Sequence, residues 1–340
     1  MKKALAIDVG GTKIYSAIIN EKGEIISEIE KHHTPKTFNE IKSLFEDIIK
    51  RHENDVEIIA FATCGAVNNT NDGILGSTGN IAKEYPSMNF KALSKKPVFV
   101  ENDANAAAWA EHIIGSSKEM PYSIMLTLGT GVGGGIILDN KLYKGKNGAA
   151  GEMHFKMRTD KHRKCTCGAW DCFEAYASGT GLKKTAEEIS GNPDITTYDV
   201  IGDLTPTPSP ASEVDLLTSH CHSEHNIRRS FANAQDDRCE ESLNHEKLTI
   251  TSGEGDRQIM AQKILDKWQD DILAGIIGLA NIFDPDVIVL SGSMAEFVDI
   301  KYLEEQANKE IVTTPFKIVK ASAGNYSGMI GAALLALEVK

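Results

Sequence analysis

Val98-Phe99-Val100-Glu101-Asn102-Asp103-Ala104-Asn105-Ala106-Ala107-Ala108-Trp109 changes backbone preference within a few residues. Valine and phenylalanine favour a strand, the alanine-rich run favours a helix, and the polar trio Glu101, Asn102 and Asp103 falls at the join. That junction sets Asp103 at the mouth of a cleft. Read alone, Asp103 is a helix N-cap, a position that aspartate favours. It does not stand alone. Asp8 to Lys13 reads DVGGTK after the apolar run Ala4 to Ile7, and Leu126 to Gly135 reads LTLGTGVGGG after Tyr122 to Met125. Each is a glycine-rich turn leaving a strand. Glycine has no Cβ and tolerates positive φ, so such turns leave backbone N–H groups free to cradle phosphate. A carboxylate between two phosphate cradles points to phosphoryl transfer.

Outward from these three stretches the element order repeats. Strand Ala4 to Val9, strand Lys13 to Ile19 and a strand near Glu24 to Ile29 predict a three-stranded meander. Phe38, Ile41, Leu44, Phe45, Ile48 and Ile49 recur at helical spacing, Glu57 to Phe61 reads as a strand, and the Val98 strand with its helix closes the unit. Tyr122 to Leu128, Gly134 to Leu138 and Lys141 to Tyr143 begin a second meander. A long helix with Ile264, Trp268, Ile272 and Ile276 on one face, a strand Val287 to Leu290 and a last α/β pair follow. Two β-β-β-α-β-α units facing each other form a cleft floored by one glycine turn from each.

A length of 340 residues suggests two domains. Lysine and arginine total 36 against 48 aspartates and glutamates, a net charge of −12, with no basic stripe to follow a phosphate backbone. Nucleic acid is therefore not an expected partner. Only Ala4 to Ile7 are continuously apolar after Lys2 and Lys3, too few for a signal peptide, and no run reaches membrane-span length. The expectation is a cytoplasmic protein with reduced thiols. Three of the six cysteines crowd together as Cys165, Cys167 and Cys172, a spacing that with an upstream histidine completes a tetrahedral Cys₃His zinc site. The stretch from about 205 to 250 opens with Thr205-Pro206-Thr207-Pro208-Ser209-Pro210 and lacks apolar periodicity, so it reads as an inserted surface loop. A second metal site from Cys221, Cys239 and the nearby histidines is the rival reading there.

DVGGTK at 8 to 13, ENDANAAA at 101 to 108, LTLGTGVGGG at 126 to 135, the glutamate and cysteine cluster from 152 to 174, and DPDVIVLSGS at 284 to 293 together resemble the ROK sugar kinases. The resemblance implies an actin-like ATPase (ribonuclease H-like) fold. Residues 1–119 with 326–340 would form a small α/β domain and 120–325 a larger one, the two flanking a cleft. It further implies ATP-dependent phosphorylation of a hexose or N-acetylhexosamine on its terminal hydroxyl, with ATP, Mg²⁺ and a structural Zn²⁺, in a homodimer. Asp103 would be the general base. Asn80, Asn102, Asp103, Glu152, His154 and Glu174 would contact sugar. Gly10, Gly11, Thr12 and Lys13 would hold phosphate from one side and Gly129, Thr130, Gly131 and Gly133 from the other. Asp8 would hold Mg²⁺, and Gly292 would lie against the adenosine.

The sequence departs from the family pattern at two places. Asp171 stands where C-x-C-G-x-x-G-C has glycine, and His154 follows Glu152 by two residues instead of three. Strict register puts Phe155 in the histidine position. Either the backbone shifts to bring His154 among the cysteines, completing the set His154, Cys165, Cys167 and Cys172, or that ligand is lost. A non-catalytic sugar-binding protein is the alternative function. A sugar-responsive repressor is weaker, because it needs a helix-turn-helix ahead of the first strand. Glucose leads as substrate, with N-acetylmannosamine, N-acetylglucosamine, mannose and fructose open.

Overall fold

The computed structural model describes residues 1–76, 81–204 and 254–338. The chain builds two five-stranded sheets with the same internal order. In the first, β1 (Lys3–Val9), β2 (Lys13–Asn20) and β3 (Glu30–His33) form an antiparallel meander, and β4 (Ile58–Thr63) lies parallel to β1. After a small hairpin of β5 (Ala66–Val67) and β6 (Ile74–Gly76), β7 (Val98–Asn102) adds in parallel, giving β3-β2-β1-β4-β7. In the second sheet β8 (Ser123–Leu128), β9 (Val132–Leu138) and β10 (Lys141–Leu142) repeat the meander. The parallel strands β11 (Val287–Ser291) and β12 (Lys317–Lys320) complete β10-β9-β8-β11-β12.

The third strand falls later than its composition suggests. Gly23, at a φ of 80°, closes the turn after β2, and Ile25 reaches Ile19 only as an isolated bridge. The Ile18 N–H is taken by the Ser27 hydroxyl at 2.8 Å, which interrupts the ladder. Regular pairing resumes at Glu30 opposite Ser16.

Helix α1 (Phe38–His52) starts at a capping box between Thr37 and Glu40 and buries Ile41, Phe45, Ile48 and Ile49. Between the sheets lie α2 (Asp103–Ile114) and the last helix, Ser327–Glu338. The first leaves the first sheet and packs on β8 and β9; the last leaves the second sheet and packs on β1, β2 and β4. They meet through small residues. A Cβ at Gly331 would be driven into the Ala106 carbonyl, and Ala106, Ala110, Ala332 and Ala333 are buried at the crossing. Such close approach needs side chains no larger than a methyl group. Over the second sheet, the long helix Glu254–Phe283 buries Ile264, Trp268, Ile272 and Ile276, as its spacing predicts. The Trp268 indole N–H donates to the Ser178 carbonyl at 3.1 Å.

The chain crosses between the sheets after α2 and again after β12, and one buried carboxylate holds both crossings. Glu111 accepts hydrogen bonds from the Ser116 N–H at 2.7 Å, the Ser322 N–H at 2.9 Å and the Ala323 N–H at 2.7 Å. Among the described residues no helix is long and apolar enough to cross a membrane. The segment read as an insertion, 205–250, lies outside the described residues, as does any metal site within it.

Candidate active site

Asp103 is the first residue of α2, not its cap. Asn102 takes the cap position, its side-chain oxygen accepting the Asn105 N–H at 3.0 Å while its amide donates to the Gly65 carbonyl at 3.1 Å. The cap role is thus filled by the neighbour, and the Asp103 carboxylate accepts the Ala104 N–H at 2.9 Å, with further help from the Asn102 side chain. Asp103 and Asp8 lie at the floor of the cleft, half-buried. Burial, opposed in part by the Ala104 N–H and reinforced by the charge of Glu152, pushes the Asp103 carboxyl up to about 6. Burial and the charge of Asp103 push Asp8 up to about 7. Two neighbouring carboxylates, the ionisation of Asp8 disfavoured by the charge of Asp103, make a pair whose charge suits a divalent cation. Beneath them the Tyr85 and Thr63 hydroxyls share a hydrogen bond of 2.9 Å.

Both glycine turns are tight hairpin connections, but their glycines work differently from expectation. Gly10, Gly129, Gly131 and Gly133 do not adopt positive φ. Gly10 donates its N–H to the Lys13 carbonyl at 3.0 Å, and Gly129 donates to the Gly131 carbonyl at 3.0 Å. Thr12 and Gly11 complete the first turn between β1 and β2. In the second turn the glycines answer to space. A Cβ on Gly131 would lie 2.5 Å from a Glu174 oxygen, and one on Gly133 would lie 2.5 Å from the Thr127 hydroxyl and 3.1 Å from the Ala104 side chain. Gly133 therefore packs on the first turn of α2, which sets the second hairpin beside Asp103. Thr130 is exposed at the tip, and its carbonyl accepts the Thr180 hydroxyl at 2.8 Å. Gly292 alone among the expected nucleotide contacts is left-handed, at a φ of 88°, with no room for a Cβ beside the Leu128 backbone.

The register question at His154 has a geometric answer. The His154 N–H donates to the Glu152 carbonyl at 2.9 Å, a three-residue turn centred on Met153 that takes up the missing residue. His154 Nδ1 then lies 3.7 Å from the Cys165 sulfur, the Cys167 and Cys172 sulfurs lie 3.6 Å apart, and all four donor atoms fall within 4.8 Å of one another. A tetrahedral thiolate centre with metal–sulfur bonds of about 2.3 Å spaces its donors roughly 3.8 Å apart, so this donor set fits zinc. Phe155, the strict-register residue, stacks instead on Phe173 with centroids 4.9 Å apart. Asp171 accounts for the other departure. It keeps the left-handed backbone of the usual glycine, at a φ of 59°, and its carboxylate accepts the Arg163 N–H at 2.8 Å and the Tyr176 hydroxyl at 2.8 Å.

The expected sugar contacts meet only in part. Glu152 is exposed, and its carboxylate lies 3.6 Å from His154 Nε2, so one imidazole nitrogen faces the thiols and the other faces a cleft carboxylate. Glu174 is buried and engaged: it accepts the Val132 N–H at 3.1 Å, the Cys165 thiol at 3.2 Å and the Thr166 hydroxyl. It joins the second hairpin to the cysteine loop. Asn80 lies outside the described residues. Thr166, Thr63 and Tyr85 carried no sequence signal, because each acts through a long-range neighbour.

Two mirrored sheets with paired glycine hairpins flanking a carboxylate floor define the actin-like ATPase fold. The chain belongs to the ROK family, which it matches over residues 4–339. A glucokinase of Streptomyces coelicolor is 29% identical over 349 residues, covering 99% of this chain and 98% of that protein. An N-acetylmannosamine kinase of Yersinia pseudotuberculosis is 34% identical over 187 residues, covering 54% of this chain and 63% of that one. The crystal structure of a ROK family glucokinase from Streptomyces griseus in complex with glucose and AMPPNP superposes with a TM-score of 0.70 at 26% identity, covering 99% of both chains.

Proposed function

We propose that this protein is a sugar kinase that transfers the γ-phosphoryl group of ATP to the terminal hydroxyl of a hexose, glucose first among candidates, with residues 1–119 and 326–340 facing 120–325 across the cleft. The observation that carries this reading is Asp103, a poorly neutralised carboxylate on the floor between two glycine hairpins. Asp103 accepts the proton of the attacking hydroxyl, a role typically contributing about 10²- to 10⁴-fold in rate. A carboxyl held at about 6 is mostly ionised at neutral pH yet basic enough to receive that proton. The turn residues Gly10, Gly11, Thr12 and Lys13 and Gly129, Thr130, Gly131 and Gly133 line the nucleotide phosphates from opposite walls, and Gly292 flanks the adenosine. Asp8 would hold Mg²⁺, which when bound neutralises charge on the transferring phosphoryl oxygens. Asn80, Asn102, Glu152 and His154 would orient the sugar hydroxyls, each of which both donates and accepts, while Glu174 holds the cysteine loop to the second hairpin. His154, Cys165, Cys167 and Cys172 would hold a structural zinc that fixes the loop carrying these groups.

The test is ADP release with Mg²⁺ and ATP across glucose, mannose, fructose, N-acetylglucosamine and N-acetylmannosamine, with Asp103→Asn alongside. Turnover on one sugar that the folded Asn variant loses supports the proposal and names the substrate. Binding of a sugar without turnover would replace it with the sugar-binding reading.

A further inference from the structure

Glu101 precedes the cleft pair Asn102 and Asp103, has no place in the chemistry above, and is 1% exposed. A buried carboxylate must be fully partnered, and this one is. One oxygen accepts the Asn102 N–H at 2.9 Å and the Asn105 amide at 3.3 Å. The other accepts the Asn71 amide at 2.8 Å and pairs with Lys144 Nζ at 2.8 Å. Lys144 comes from the far side of the cleft, in the loop that follows β10 of the second sheet, and its ammonium also donates to the Asn68 carbonyl at 3.3 Å. Around this pair the loop is sewn to the β5/β6 hairpin of the first half. The Asn69 amide donates to the Gly145 and Lys146 carbonyls at 3.2 and 2.6 Å. Gly148, at a φ of 95°, has no room for a Cβ against the Val67 carbonyl.

The loop then closes on itself, the Ala150 N–H donating to the Lys144 carbonyl at 3.1 Å, and two residues later it presents Glu152. Glu152 and His154 thus belong by sequence to the second half, but the loop that leads to them is tied through Lys144 to Glu101 on β7, the strand that ends beside Asp103, and through Gly145 and Lys146 to the β5/β6 hairpin. We propose that Glu101 and Lys144 form a positioning pair that attaches the Lys144–Glu152 loop to the strand bearing Asp103, so that the sugar-facing side of the cleft is assembled before the nucleotide binds. This rests on the sugar-kinase reading and adds to it a division of labour. The Lys144–Glu152 segment answers to the first half of the molecule although it follows the meander of the second sheet.

The experiment compares wild type, Lys144→Arg, Lys144→Met and the double variant Glu101→Gln/Lys144→Met. Lys144→Met alone leaves a buried charge unpaired and destabilises the fold, whereas the double variant removes both charges and recovers thermal stability. The expected result is a double variant that melts near wild type and yet has a sugar KM raised about tenfold to hundredfold, as misplacement of a binding group by about 1 Å predicts. Its KM for ATP stays within about twofold of wild type, and Lys144→Arg restores the sugar KM. Amide hydrogen exchange without ligand supplies a readout independent of catalysis: residues 144–152 lose protection in the double variant. A double variant with wild-type sugar KM, or with an unchanged exchange pattern over 144–152, overturns the proposal while leaving the kinase reading intact. If wild type turns over no sugar, the kinase reading fails, and the exchange measurement still decides whether the pair positions the loop.

Discussion

Asp103→Asn is expected to make the protein more stable as it makes it inactive, and the gain has a defined pH dependence. Burial raises the folded-state pKa of Asp103 from 3.8 to about 6, so folding disfavours its ionised form. Below about pH 3 the group is protonated in both folded and unfolded chains, and the penalty vanishes. As the pH rises the unfolded chain ionises first, and the penalty grows until the folded-state pKa has been passed. Two pKa units at about 1.4 kcal/mol each give a ceiling of about 3 kcal/mol, and the solvent that reaches the cleft floor reduces this to roughly 2 kcal/mol. Asparagine keeps the shape and can still accept the Ala104 N–H, so little packing is lost. Loss of the charge also relieves Asp8, whose own pKa is raised in part by Asp103. Urea unfolding of both proteins without nucleotide, sugar or Mg²⁺ gives the stability difference directly. The expected gain is about 2 kcal/mol at pH 8, shrinking to a few tenths at about pH 4. A difference that does not change with pH, or a variant less stable than wild type at pH 8, would refute the claim that Asp103 is held in a charge-disfavouring site.

The same shift places the acid limb of kcat/KM near pH 6, so activity at pH 5 should be about a tenth of its plateau. A pH profile with its acid limb near 4 contradicts it. Metal analysis of purified protein should find one zinc per chain, and Cys172→Ser should lose it together with several degrees of melting temperature. Asp171→Gly keeps the left-handed backbone but strands the buried Arg163 N–H, which should reduce stability by about 1–3 kcal/mol in chemical denaturation. Gly331→Ala drives a methyl group into the Ala106 carbonyl and should reduce stability by about 1–3 kcal/mol, with activity per folded molecule unaffected.

What the sequence made legible is what local chemistry dictates. Strands that end in glycine turns, the strand-to-helix change at Asp103 and the apolar face of Ile264, Trp268, Ile272 and Ile276 all follow from short-range preference and periodicity. What it left open or missed is long-range. Asn102, not Asp103, caps the helix because its amide can also reach the Gly65 carbonyl on the adjoining loop. The third strand begins at Glu30 because a Ser27 hydroxyl takes an N–H that a ladder would have used. His154 reaches the thiols through a three-residue turn that spacing alone could not reveal. Glu174, expected to face sugar, is held by Val132 from the second hairpin and by Cys165 and Thr166 from the cysteine loop. The pairing of Glu101 with Lys144 spans 43 residues of sequence, 144 − 101, and only the assembled fold brings the two together.

Glu111 has a mechanical consequence. Both passages of the chain between the sheets are moored to its single carboxylate, so a swing at these two crossings would turn about one point. A body turning about one pivot behaves as a lever, with displacement proportional to distance from the fulcrum. Asp103 lies eight residues up the same helix from Glu111, about 12 Å at 1.5 Å per residue, so a swing of ~10° moves groups at that end by ~2 Å.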